Sequence, residues 1–167
     1  DSERQSVGDT LRKLVKRLGE PVVRTVAGQA MKEMGRQFVL GRTIEEAQDR
    51  GKSQEERGYT YSYDMLGEAA RTDADAQRYY QAYSDAIDSI SKRCKGDVRT
   101  NPGISVKLSA LLARYEYGHK ERVMNELMPR ALKLARKAAA ANMGFNIDAE
   151  EQDRLDLSLD VIEAILS

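Results

Sequence analysis

The chain holds a single cysteine, Cys94, and a single histidine, His119, among 167 residues. One cysteine excludes an internal disulfide and a cysteine-built metal site, and it fits a reducing compartment. Cys94 itself reads as a small buried side chain near a helix end. An excess of one charge is also missing: Lys+Arg and Asp+Glu both total 27. No long-range field then gathers polyanions onto the surface, which argues against nucleic acid as a partner of this segment. No apolar run approaches the ~20 residues of a membrane-spanning helix. The opening residues Asp1-Ser2-Glu3-Arg4 lack the apolar stretch of a signal peptide, so the chain reads as cytoplasmic. It also starts without a methionine, which points to a piece of something longer. What remains, 41% hydrophobic and 32% charged, has the make-up of a globular protein long enough for one core rather than of a disordered chain.

The first 58 residues read as three helices. Leu11, Leu14, Val15 and Leu18 share one helical face before Gly19 and Pro21, with Arg12, Lys13, Lys16 and Arg17 largely opposite. That basic face is either solvated or a docking surface for another domain. Val23, Val26, Ala27, Ala30, Met31, Met34 and Phe38 form a second stripe, of the kind that usually faces a core. Thr43 with Glu46 three residues on is a capping-box pattern opening a third helix that stops near Gly58.

After Gly58 the period changes from helical to twofold. Tyr59-Thr60-Tyr61-Ser62-Tyr63-Asp64-Met65 alternates aromatic or apolar with polar residues, as a strand does. Thr72 and Asp75 then cap a helix with Ala76, Tyr79, Tyr80, Tyr83, Ile87 and Ile90 on one face, running to about Cys94. Ile104-Ser105-Val106-Lys107-Leu108 is a second alternating run. A helical stretch follows from His119 to Ala141, with Pro129 predicting a kink or break inside it. The third run, Phe145-Asn146-Ile147-Asp148-Ala149-Glu150, leads into a helix with Leu155, Leu159, Ile162 and Leu166 on one side.

This βα alternation over residues 59–167 implies an α/β fold with a parallel sheet, either an open doubly wound sheet or a closed barrel. Leu66-Gly67-Glu68 offers one glycine and an acid where a phosphate-binding fingerprint would need several glycines, which favours the barrel. Since (β/α)8 barrels take about 250 residues, the expectation is an N-terminal helical segment, residues 1–58, followed by the first three βα units of a truncated barrel.

In each predicted strand the polar residues share one parity: Thr60, Ser62 and Asp64, then Ser105 and Lys107, then Asn146 and Asp148. The other parity is apolar and should face the covering helices. One ionisable side chain thus stands near the C-terminal end of each of three strands, where barrel enzymes place their sites. These charges are either a salt-bridge network in an inert core or a functional rim, and the small net stability of buried ion pairs favours the rim. Strands ~4.8 Å apart put a carboxylate within roughly 5 Å of Lys107. Each such contact is worth about 3 kcal/mol at an effective dielectric near 20. That opposes the desolvation that would neutralise the amine, so Lys107 is expected to be a standing cation that grips an anionic group such as a carboxylate. A Schiff-base lysine barrel aldolase is the competing enzyme reading, and a helical interaction module built on residues 1–58 the non-enzymatic one. Glu68 is either a guard at the rim or a favourable charge at the start of the next helix. His119 is expected at the surface without a catalytic role.

Three runs carry a resemblance: Tyr59 to Ala70, Gly103 to Leu111, and Asn146 to Glu151. In order and spacing they closely resemble the proline dehydrogenase domain of the bacterial proline utilisation A proteins, with further similarity at Leu18-Gly19-Glu20-Pro21 and Gly35-Arg36-Gln37-Phe38-Val39. The resemblance implies a (β/α)8 barrel that binds FAD at the strand C-termini and oxidises L-proline to Δ1-pyrroline-5-carboxylate by hydride transfer to the flavin, with no metal. It also implies electron delivery to a membrane quinone, a linked aldehyde dehydrogenase domain that completes oxidation to glutamate, and a cytoplasmic protein at the periphery of the inner membrane. By position, Lys107 resembles the lysine that holds the proline carboxylate and Asp148 the aspartate beside the flavin. Asp64 resembles an acid of the substrate pocket, and Glu68 the partner in an ion-pair gate with a late arginine. The chain departs from the family at Leu112-Ala113, where histidine and proline often stand. With five further βα units expected elsewhere, the segment alone is expected to bind no FAD, to turn over no proline, and to self-associate or be covered by its own N-terminal helices.

Overall fold

A computed structural model of the chain describes residues 20–67 and 69–167. The helix expected around Leu11 to Leu18, and Glu68, lie outside the described residues. Compact units divide between Arg42 and Thr43.

In the first unit, α1 spans Glu20–Phe38. Its start fits Pro21, whose missing N–H costs nothing in a first turn. The stripe expected to face a core is instead exposed at Val26, Met31, Met34 and Phe38. Helical spacing gives a helix an apolar face but does not supply a surface to cover it.

In the second unit, α2 (Ile44–Glu55) begins where predicted, with the Thr43 hydroxyl accepting the Glu46 N–H at 3.2 Å. Three parallel strands follow: β1 (Ser62–Asp64), β2 (Gly103–Val106) and β3 (Gly144–Ile147), ordered β1-β2-β3. Ser62 pairs with Gly103, and Gly103 with Gly144. A Cβ added to Gly103 would meet the Gly144 carbonyl oxygen at 2.9 Å, so glycine lets these two backbones approach.

The helices connecting the strands pack on one another and on the outer face of the sheet. α3 (Asp73–Ser91) opens with a complete capping box between Thr72 and Asp75. It lies against β2, while α4 (Met128–Ala140) lies against β3 and α3, and α5 (Leu155–Leu166) against α4. Tyr63, Ile104 and Val106 are buried with Tyr83, Ile87 and Ile90 of α3, Leu134 of α4 and Leu157 of α5. Each such aliphatic side chain contributes roughly 1.5–3 kcal/mol over an exposed one. At the lower end, buried Asn101 accepts the Lys95 and Gly96 N–H groups and donates to the Gly96 and Asn142 carbonyls.

One expectation gains detail and another meets a different outcome. The break at Pro129 takes the form of a π turn over Val123–Leu127, closed by the Met128 N–H donating to the Val123 carbonyl, between a short turn at Lys120–Arg122 and α4. Pro129 has no N–H, and its ring crowds the carbonyl four residues back; one widened turn accommodates both. On α5, Leu155, Leu159 and Leu166 are exposed, and Leu157 and Val161 make the buried face. That helix is apolar on two sides, so periodicity alone did not choose between them.

Candidate active site

Asp64 is the last residue of β1, Lys107 follows the last residue of β2, and Asp148 follows the last of β3. The shared parity puts all three on one face, and the register brings their ends together. Lys107 Nζ lies 2.6 Å from Asp64 Oδ1 and 3.2 Å from Asp148 Oδ2. A polar layer lies one step back along the strands. There Asn146 Nδ2 donates to Ser62 Oγ at 2.8 Å, and Ser62 Oγ is 3.0 Å from Ser105 Oγ.

The Lys107 side chain is 17% exposed, against 47% for Asp64 and 27% for Asp148. Burial works against its charge. Hydrogen bonds to Asp64 and Asp148, with their Coulombic attraction, outweigh burial and hold the ammonium above the ordinary lysine pKa. The arrangement therefore offers a fixed cation between two fixed carboxylates, and a free amine is the one species it disfavours.

Behind this trio, the loops after the strands are tied together. The Ser109 hydroxyl accepts the Ala69 N–H at 3.0 Å and its carbonyl accepts the Ala70 N–H at 2.9 Å. The Ser109 N–H donates to Glu150 Oε2 at 3.0 Å. Ala69 sits in the left-handed region, φ 54°, where a non-glycine residue is strained, and the bonds from Ser109 hold it there. Just before it, Gly67 has φ +120°, and a Cβ there would meet Tyr79 Cε1 at 2.7 Å. Fully buried Tyr83 reaches from α3 to accept the Lys107 backbone N–H on its hydroxyl, at 3.2 Å.

Sequence reasoning did not single out Ser109, Glu150 or Tyr83 for the site. Ser109 and Glu150 each stand two residues past Lys107 and Asp148, so the same alternation carried one step further points to them. Nothing in the sequence distinguishes Tyr83 from its neighbours in the α3 stripe. Among the described residues, no group of three or more His, Cys, Asp or Glu side chains is placed to hold a metal ion.

Comparison with known proteins decides what kind of rim this is: a family model described as proline dehydrogenase matches residues 47–167. The chain belongs to the proline dehydrogenase family. It is 48% identical over 161 residues to the bifunctional protein PutA of Escherichia coli (strain K12), covering 96% of this chain and 12% of that protein. It is 51% identical over 153 residues to the bifunctional protein PutA of Rhizobium meliloti, covering 92% and 12%. Among solved structures, Bradyrhizobium japonicum proline utilization A (PutA), as the mutant D778Y, matches with a TM-score of 0.73 at 56% identity, over 92% of this chain and 16% of that one. The chain thus spans about an eighth of the length of these curated relatives. Its helices and three parallel strands match part of the barrel domain of proline dehydrogenase, a family that is flavin-dependent. The aldolase and interaction-module readings find no support in these relationships.

Proposed function

We propose that this segment supplies the first three βα units of a flavin-dependent barrel that oxidises L-proline to Δ1-pyrroline-5-carboxylate. The observation that carries the reading is Lys107 Nζ, seated 2.6 Å from Asp64 and 3.2 Å from Asp148 at adjoining strand ends. Proline is a zwitterion, and this donor set suits both of its poles. Lys107 holds the carboxylate, and Asp64, the more exposed acid, faces the ring ammonium. Fixing both ends orients the carbon to be oxidised, which is most of what a protein contributes to hydride transfer.

Asp148 is the residue here that would hold FAD. When bound, the flavin supplies a two-electron acceptor for the substrate hydride. The charged donor set at the strand ends fits such a group. The ion pairs keep Lys107 and the carboxylates where they are before substrate arrives, so binding requires little reorganisation. Glu68, by its place in the sequence, belongs to the substrate gate. In the full-length protein the electrons go to a membrane quinone, and an aldehyde dehydrogenase domain of the same polypeptide consumes the product. Such a protein is cytoplasmic and meets the inner membrane at its periphery.

The test is to graft residues 20–167 into a full-length relative at the matched positions and add L-proline without oxygen. Bleaching of the flavin absorbance is the expected result. Lys107→Ala should raise KM for L-proline about 100-fold, the loss of a charge-assisted contact in a protected site. A graft that retains flavin and is not reduced by L-proline would overturn the proposal.

A further inference from the structure

Lys107 lies just past β2, at the point where the strand turns into the 3-10 segment Leu108–Ala110. Alternate residues of a strand send their N–H groups toward the same neighbour. The Gly103 N–H donates to the Tyr61 carbonyl of the β1 side at 2.8 Å. The Lys107 N–H, four residues on, points the same way, but the paired residues of β1 end at Asp64, opposite Ser105. The place of the missing ladder partner is taken by a side chain. Tyr83, from the middle of α3 and fully buried, puts its phenolic oxygen 3.2 Å from that N–H. On its other side the Lys107 carbonyl accepts the Ala110 N–H at 3.1 Å. Both backbone groups of Lys107 are therefore held, one by the following turn and one by a tyrosine on a helix behind the sheet.

We propose that Tyr83 is a positioning residue for substrate binding: its hydroxyl fixes the backbone from which Lys107 projects, and so sets where the ammonium meets the substrate carboxylate. This rests on the reading of Lys107 as the carboxylate holder. Burial raises the phenol pKa, so at neutral pH Tyr83 is an uncharged hydrogen-bonding partner and takes no part as an acid or base. The ring itself is fully buried, as are Ile87, Ile104 and Leu108. Removing only the hydroxyl separates anchoring from packing.

The experiment uses the same graft in a full-length relative. Tyr83→Phe should retain flavin and raise KM for L-proline about tenfold, with kcat within about twofold, because the lost contact orients a binding group. In a Lys107→Ala background the same substitution should change KM by less than about twofold, since no ammonium is left to position. Should Tyr83→Phe fail to fold, a fluorinated tyrosine at position 83 keeps the ring and weakens its oxygen as an acceptor. It should raise KM in the same direction by a smaller factor. An unchanged KM in either single variant, or an equal loss with and without Lys107, overturns the role of Tyr83 while leaving the proposed function standing. A flavin-loaded graft with Tyr83 intact that fails to oxidise proline sinks the proposed function, and this inference with it.

Discussion

Lys107 keeps its proton because two acids flank it, and the sign of that effect fixes its pH dependence. Its folded pKa lies above the ordinary lysine value, with burial opposing and Asp64 and Asp148 prevailing. The stability it contributes is therefore complete below the unfolded pKa of about 10.4 and is lost only as pH rises through the higher folded value. Between pH 6 and 9 neither the denaturation midpoint nor KM for proline should show an ionisation traceable to Lys107. Matched profiles of the parent and Lys107→Met check this. Asn101 makes a second residue-scale case, far from the rim. Its side chain accepts two backbone N–H groups and donates to two carbonyls, so Asn101→Ala should cost about 2–4 kcal/mol in chemical denaturation. The rim residues were legible because strand parity is a strict two-residue rule. Tyr83 was not, because its partner is a backbone N–H 24 positions away, and spacing within a helix says nothing about what its tip reaches.

At the scale of elements, helix starts were easier to read than strand lengths. Thr43 and Thr72 cap through contacts three residues away, which a sequence displays directly. Thr72→Ala should lower stability by about 1 kcal/mol, read as a shift in the urea midpoint at unchanged slope. The strands came out shorter than their alternating runs because a residue counts as strand only where a neighbour pairs with it, and β1 is paired over just Ser62–Asp64. Residues 59–61 alternate as well but precede the paired stretch. Glycine at the β2–β3 contact was invisible as a requirement until the strands were side by side. Gly103→Ala should push β3 away from β2 and cost about 2 kcal/mol or more through overpacking, seen as faster amide exchange at Ile104 and at Asp148, whose N–H donates to the Val106 carbonyl. The faces of α1 and α5 illustrate the same boundary: an apolar stripe is local, and what covers it is not.

For the molecule as a whole, a three-stranded parallel sheet leaves β1 and β3 each with one unpaired edge among the described residues, and closed barrels are the arrangement that removes such edges. The isolated 167-residue chain should accordingly self-associate, with sedimentation giving a mass that rises with concentration. The βα order and the barrel class were legible because each crossover needs its helix. The π turn was legible only as a break at Pro129, since sequence marks where a helix cannot continue regularly but not how it adjusts. That adjustment has a further result. One additional residue in a turn rotates everything before it by about 100° around the helix axis. In that rotated phase Arg122 meets Asp73 at the head of α3 at 2.8 Å, and Lys120 meets Asp160 of α5 at 2.7 Å. The segment ahead of the π turn is thereby laced to α3 and to α5, so a proline that would ordinarily be a defect sets which neighbours that segment grips.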